Sequence, residues 1–405
     1  MIGACTIVSP NYLAYARTLS ASYLAQHPDQ QFYVLIVADL PPSNRDYFEG
    51  DTFLPVMLSE LGIPDLKSQA MKYDILELNT NVKPTFMKYL LQRFALEKLI
   101  YLDPDIFVYN PLTPVFEVLD TANAVLTPHV TTPIDDGKRP NEQDHLYNGT
   151  YNLGFIGVKR SEETERILSW WERRCLDHGF SEGRTGLFVD QKWMNLAPGL
   201  FEGVAILRHP GCNMAYWNLH ERSLSIGKDG KYVVNDTSAL CFFHFSGIVV
   251  SDQEILSKNT DRFTLAERED LQPIFAAYKA AVLVNREPIA EAMPYGFDTY
   301  TDGIVVTRLA RRIYAMHQAH WAGQDPFDAK GGFAAFARRL RLVAGKAAPK
   351  KATWKEFNPS DRRVELVHSA MKLALRVLGP NRYELLMRYL AHIAVLRHQS
   401  VFLKD

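Results

Sequence analysis

One short stretch restricts the fold more than any other: residues 99–112, LIYLDPDIFVYNPL. Its opening run Leu99, Ile100, Tyr101, Leu102 has no polar alternation, the pattern of a strand buried on both faces in a mostly parallel sheet. The run stops at Asp103, Pro104, Asp105, and ligands collect at the carboxyl ends of such strands. Two carboxylates one residue apart repel each other unless positive charge lies between them. A divalent cation is the simplest answer, since Mg2+ and Mn2+ take oxygen ligands from one or two protein carboxylates and from substrate phosphates. The same triplet also suits a solvated turn, because Asp and Pro are both turn formers.

The rest of the first half alternates strand and helix. Residues 4–9 (ACTIVS) and 31–40 (QFYVLIVADL) read as strands, and 12–26 carries apolar residues at helical spacing between them. This predicts an α/β fold, a mixed but mostly parallel sheet flanked by helices, opening with a nucleotide-binding half. Neither GxGxxG nor GxxxxGK[ST] is present, so phosphate is held by other means. Residues 83–99 read as an amphipathic helix on which Lys88 either reaches an anion near the strand end or is simply solvated.

Further strands are expected at 122–127 and at 151–158 (YNLGFIGV), with a lid-like or acceptor loop over 135–150 between them. Asn152 stands near the start of the second strand, and Gly154 inside it marks a close approach of a ligand or backbone. Ser161 is placed to cap a helix over 161–178. Asp190 and Gln191 precede a helical pattern over 187–198, where the acid would serve as a cap. Residues 209–222, HPGCNMAYWNLHER, are dense in aromatic and amide groups that suit either stacking on a sugar or packing. His244 closes the strand CFFHFSG, as a satisfied core histidine or as a metal ligand.

The chain has 405 residues, 47% of them hydrophobic, enough for one large domain with an appendage or for two domains. Its four cysteines, Cys5, Cys175, Cys212 and Cys241, have no CxxC spacing and read as reduced core thiols. Without an apolar run of membrane length or a leader pattern, the expectation is a cytoplasmic protein. The net charge of -1 hides an asymmetry: residues 305–405 carry 19 Lys or Arg against 7 Asp or Glu. From Leu265 onward the pattern is helical, at 271–283, 309–319, 333–343 and 364–393, with a basic connector at 344–352. The basic amphipathic stretch 333–346 suits either an anionic bilayer surface or an exposed helix face in a bundle. Aromatic-interleaved basic patches are missing, which argues against nucleic acid as a partner.

Five pieces, TIVSPNYLAYA, YLDPDIFV, YNLGFIGV, FVDQKWMN and FHFSG, stand in an order that resembles nucleotide-sugar glycosyltransferases of the GT-A fold. The resemblance is strongest to family 8, the retaining glycogenin and lipopolysaccharide-galactosyltransferase group, and covers residues 1–262, leaving 263–405 as a helical, basic appendage for acceptor, membrane or oligomer contacts. It implies Mn2+ or Mg2+ held by Asp103, Asp105 and His244, and a nucleotide-diphosphate sugar as donor, with UDP favoured. By the same resemblance Thr6, Ile7 and Tyr12 surround the base, Asn152 and Asn195 contact the donor, and Asp190 and Gln191 line the reacting face of the sugar. The family's leaving-phosphate lysine is replaced by Val250, and Lys258 is the nearest residue to supply that charge. The implied acceptor is a glycan, lipid-linked or protein hydroxyl, met at the inner face of a membrane through the basic tail. An inverting transferase and a non-catalytic sugar-binding protein on the same fold are the competing readings; a sugar-1-phosphate nucleotidyltransferase would need a glycine-rich basic N-terminal loop that ACTIVSPNYLAYA lacks.

Overall fold

The computed structural model describes residues 1–344 and 362–403; most of the 344–352 connector therefore lies outside the described residues. Contacts divide the chain into two units, the first made of Met1–Leu66 and Ile75–Gly296, the second of Lys67–Asp74 and the chain from Phe297 onward. Residues 263–296 thus pack with the sheet-bearing part.

The first unit is built on a seven-stranded sheet. Its strands are β1 (Ile2–Val8), β2 (Gln31–Ile36), β3 (Leu54–Met57), β4 (Lys98–Leu102), β6 (Ala124–Pro128), β7 (Tyr151–Lys159) and β8 (Val204–Ile206), in spatial order β8-β6-β7-β4-β1-β2-β3. β7 runs antiparallel to both neighbours and every other pairing is parallel, so the α/β class and the mostly parallel sheet expected from the sequence are borne out. All five residues of β4 are buried, as an apolar strand covered on both faces must be. Helices α1 (Leu13–Gln26), α2 (Lys83–Arg93), α3 (Thr113–Thr121), α4 (Glu142–Asn148), α5 (Glu162–His178) and α6 (Gln272–Val284) flank it.

A second, three-stranded sheet sits at the carboxyl end of β4. Strand β5 (Ile106–Val108) follows Asp105 directly and pairs antiparallel with β10 (Phe242–His244), which also pairs in parallel with β9 (Met214–Ala215). In this register His244 lies opposite Ile106, and the Phe245 N–H donates to the Asp105 carbonyl at 2.8 Å. Two segments more than a hundred residues apart are thereby sewn together at the acidic turn.

Two local expectations are corrected. The helix predicted over 83–99 ends at Arg93, because Ala95 takes φ 49° and the next residues enter β4 beside β1 (Ile2 against Lys98). The loop predicted over 135–150 contains α4, whose start is a reciprocal cap: the Asp144 N–H donates to Asn141 Oδ1 at 3.1 Å and the Asn141 N–H to Asp144 Oδ2 at 2.9 Å. The helix over 161–178 forms as expected, with the Thr164 N–H donating to Ser161 Oγ at 3.0 Å.

The second unit is helical in its described part, with α7 (Arg308–His317), α8 (Gly332–Arg339) and α9 (Arg362–Ile393), which matches the helical character read from the tail. Buried Arg311 ties Lys67–Asp74 to α7 by donating to the Tyr73 carbonyl at 2.8 Å and to the Phe297 carbonyl at 2.5 Å. α9 has no buried side chain and is broken at Gly379, where φ is 73° ahead of Pro380. No helix among the described residues is long and apolar enough to cross a membrane.

Candidate active site

At the end of β4, Asp103, Asp105 and His244 converge. His244 Nε2 lies 2.9 Å from Asp105 Oδ1 and 3.9 Å from Asp103 Oδ2, and the three ligand atoms fall within 4.8 Å of one another. The imidazole is 3% exposed while the carboxylates are 31% and 22% exposed, so the cluster is walled on one side and open on the other. Burial disfavours the charged imidazole, yet Asp105 and then Asp103 outweigh it and hold the pKa of His244 above its ordinary value. Two open carboxylates backed by one buried imidazole are the donor set a hard or borderline divalent ion accepts.

Gly154 makes the convergence possible. It sits on β7, its carbonyl accepting the Asp103 N–H at 2.7 Å, and a Cβ there would lie 2.4 Å from His244 Cε1 and 2.8 Å from Asp103 Oδ2. Any side chain would push the imidazole off the acids. The glycine inside YNLGFIGV thus marks a close approach, as its position in a strand implied.

Asp103 is oriented from behind by Tyr101, whose hydroxyl donates to Asp103 Oδ1 at 2.7 Å. Lys83 stands over the Tyr101 ring, its Nζ 4.1 Å from the centroid, donates to the Leu153 carbonyl at 2.7 Å and ion-pairs with Asp190 Oδ2 at 2.6 Å. Both Lys83 and Asp190 are 2% exposed; burial pushes the Asp190 carboxyl up, against the pull of Lys83. Neither Lys83 nor Tyr101 stood out in the sequence, where Lys83 is merely the residue before the Pro84 that opens α2. Lys88, which did stand out, pairs with Glu172 of α5 at 2.7 Å and Glu165 at 3.7 Å. Its charge is committed to the helix–helix contact, and Lys83 is the α2 lysine at the site.

Gln191 and Asn195 brace the strand that carries Asn152. Gln191 Oε1 accepts the Leu153 N–H at 3.0 Å, its Nε2 donates to the Asn148 carbonyl at 3.1 Å, and Asn195 Oδ1 accepts the Thr150 N–H at 3.0 Å. Buried Asn152 Oδ1 accepts from Asn213 Nδ2 at 3.1 Å, which ties the HPGCN segment to β7. Trp217, four residues beyond Asn213, stands edge-on to His244 with centroids 5.1 Å apart.

At the other rim, Thr6 and Ile7 are buried on β1, and the Thr6 hydroxyl has no hydrogen-bond partner among the described residues. Tyr12 is 45% exposed, stacks on Tyr15 at 5.0 Å, and has its pKa raised by burial and then by the charge of Asp105. Exposed Lys258 donates its backbone N–H to the Gly247 carbonyl at 3.1 Å, so it rides on the turn that follows His244. Buried Arg262 is spent on the 135–150 segment, with Nε 2.5 Å from Asp136 Oδ2 and Nη2 donating to the Pro140 carbonyl at 2.8 Å.

No protein-family model matches the chain. It is similar to two Bacillus subtilis (strain 168) proteins described as uncharacterized: YfnF, 33% identical over 177 residues that make up 43% of this chain and 58% of that protein, and YfnD, 24% identical over 74% of this chain and 93% of that protein. The chain therefore spans little more than half the length of YfnF. Among solved structures it is similar to the galactosyltransferase LgtC crystallised with donor and acceptor sugar analogues, at a TM-score of 0.38 and 17% identity over 69% of this chain and 95% of that one.

Proposed function

We propose that the chain is a glycosyltransferase of the GT-A type that moves a sugar from a nucleotide-diphosphate donor, with UDP favoured, to a hydroxyl acceptor with retention. The observation that carries this reading is the meeting of Asp103, Asp105 and His244 at the carboxyl end of the central strand, open on one side and kept clear by Gly154.

In this reading Asp103, Asp105 and His244 hold Mn2+ or Mg2+. When bound, the ion supplies positive charge against the diphosphate that leaves. Tyr12 offers an aromatic face to the base, with Thr6 and Ile7 beneath it. Lys258 reaches from the His244 turn to the departing phosphate, taking the part that Val250 cannot. Asn152 contacts the sugar. Asp190 and Gln191 shape its reacting side from fixed positions: the aspartate pinned by Lys83, the glutamine pinned between Leu153 and Asn148. A carboxylate closed into a buried ion pair is poorly placed to take a proton from an acceptor, which favours retention over an inverting mechanism that needs a free base. The excess of cations in 305–405 supports a lipid-linked acceptor at an anionic bilayer surface. Co-sedimentation of the full chain with phosphatidylglycerol vesicles checks that part: pelleting that equals pelleting with neutral vesicles removes it.

A thermal-shift panel of UDP-, GDP-, CDP- and dTDP-sugars, each with and without Mn2+, tests the whole. Stabilisation by one nucleotide class that requires Mn2+ is expected, since a ligand that binds the folded state raises its melting point by mass action. Equal stabilisation of Asp105→Ala and the parent would remove the ion from the mechanism. The anomeric configuration of the product, read by NMR, decides retention.

A further inference from the structure

A second cluster of metal-ligating side chains lies at the opposite end of the β9/β10 ladder from His244. His209 and Cys212 come from the turn that leads into β9, and Cys241 is the residue before β10; their ligand atoms lie within 4.8 Å of one another. The backbone fixes the arrangement. The Cys212 N–H donates to the His209 carbonyl at 3.0 Å, closing the turn, and the Cys241 N–H donates to the Gly211 carbonyl at 2.8 Å, tying turn to strand. Gly211 permits this approach, since a Cβ there would fall 1.9 Å from the Ala239 carbonyl oxygen.

The geometry points to a zinc site: His209, Cys212 and Cys241 hold one Zn2+, with water in the fourth position, and pin together the starts of β9 and β10, the second of which ends at His244. A tetrahedral zinc with two sulfur ligands and one nitrogen needs donor atoms roughly 3.5–3.8 Å apart, within a small rotamer adjustment of what is seen. One imidazole and two thiolates select zinc over the hard ions that suit Asp103 and Asp105. Buried Arg222 donates from Nη1 to the carbonyls of Pro210 at 2.8 Å and Cys212 at 2.9 Å, putting a cation beside the sulfurs. Loading releases the two thiol protons to solvent and moves no electrons. It gives up the 3.2 Å hydrogen bond from the Gly211 N–H to His209 Nδ1. Cys212 and Cys241 are both buried, whereas His209 is partly open, so the ion enters from the histidine side.

The test uses the full reduced chain, stripped with a chelator and titrated with Co2+. A sulfur-to-cobalt charge-transfer band at one equivalent is expected, displaced by Zn2+, lost in Cys212→Ser and in Cys241→Ser, and retained in Asp105→Ala. The Asp103/Asp105/His244 cluster has no sulfur and gives no such band, so this readout is independent of the proposed transferase activity. Because a serine variant can fail to fold, the parent protein provides a second measure: Zn2+ should slow alkylation of Cys212 and Cys241 at least tenfold, with a chelator reversing it. No sulfur band in the folded parent, a band that survives either serine variant, or alkylation rates unchanged by Zn2+ would each overturn the site.

Discussion

Two clusters at the end of β4 pair carboxylates with a cationic or cation-forming side chain, and they are built to opposite ends. Lys83 and Asp190 form a closed pair, each 2% exposed. Asp103 and Asp105 face each other across His244 with a quarter or so of their side-chain surface open and more negative charge than the imidazole can balance. A dry, matched pair costs desolvation and fixes geometry; an open, unmatched one leaves room for an incoming ion. Tyr101 joins them, under the Lys83 ammonium on one side and donating to Asp103 on the other. In the proposed reaction the closed cluster therefore holds Asp190 in place and the open one takes the ion, a division that mutations can break.

The largest effect should come from Lys83→Met, which strands the buried Asp190 carboxylate; removing one partner of a buried pair costs about 3–5 kcal/mol. Urea unfolding of the parent and variant measures it. The double variant Lys83→Met/Asp190→Leu should recover much of the loss, because an apolar pair of similar volume carries no stranded charge. If the double variant is as unstable as the single one, the closed pair is more than scaffold.

Asp105→Ala should do the reverse: turnover falls about 10²- to 10³-fold, the size seen when one electrostatic contact to a developing charge is lost, while folding stability changes far less than in Lys83→Met, because loss of the contact to His244 is offset by relief of the repulsion between two like charges. Sugar transfer and urea unfolding on the same preparation give the contrast. Gly154→Ala should fall between the two. Its Cβ would need the 2.4 Å space now held by His244, so the imidazole must swing away. Mn2+ affinity, read from the metal dependence of the melting point, should drop about 10- to 100-fold, as when a group that orients a metal ligand is lost.

The sequence shows the open cluster better than the closed one, for a physical reason. Asp103 and Asp105 interrupt an apolar strand, and His244 ends another, so each is conspicuous against a buried background. The strand-by-strand fold is legible for the same cause, since apolar runs and turn formers alternate at lengths that suit an α/β sheet. Lys83 is invisible because nothing local distinguishes a lysine that finds its partner 107 positions later from one in solvent. Lys88 lies five residues on, about 140° further around the helix, and amphipathic reading alone could not say which of the two faces the sheet. The helix α4 did have a local signal, the Asn141 to Asp144 spacing of a capping box, hidden among turn formers. Gln191 and Asn195 were visible as polar residues, but that their amides clamp the backbone of 148–153 depends on the tertiary fold.

A third carboxylate pair grades the comparison. Asp136 is 37% exposed, and its bond to Arg262 holds its pKa down at about 2. A carboxyl depressed from its usual value near 3.9 contributes stability that is complete above about pH 4 and fades as the pH falls toward 2. Hydrogen exchange of residues 135–148 should therefore accelerate across that window. Asp136→Asn should remove most of the acid dependence, leaving the sheet's exchange unchanged.

The smallest effect belongs to Lys88→Met. Its partners Glu172 and Glu165 are 20% and 49% exposed, and pairs this wet contribute about 0–1 kcal/mol. The methionine keeps the length of the apolar stem against α5, so packing between the two helices is largely preserved. Turnover and KM for the donor should stay within about twofold, because Lys88 points to α5 while Lys83 occupies the sheet side of the same helix. Measured beside Lys83→Met, it separates charge on α2 from position on α2. A rise in donor KM with Lys88→Met would mean that the helix presents its second lysine to the nucleotide when substrate is bound, and the division into closed scaffold and open chemistry would then miss a cation recruited from outside both.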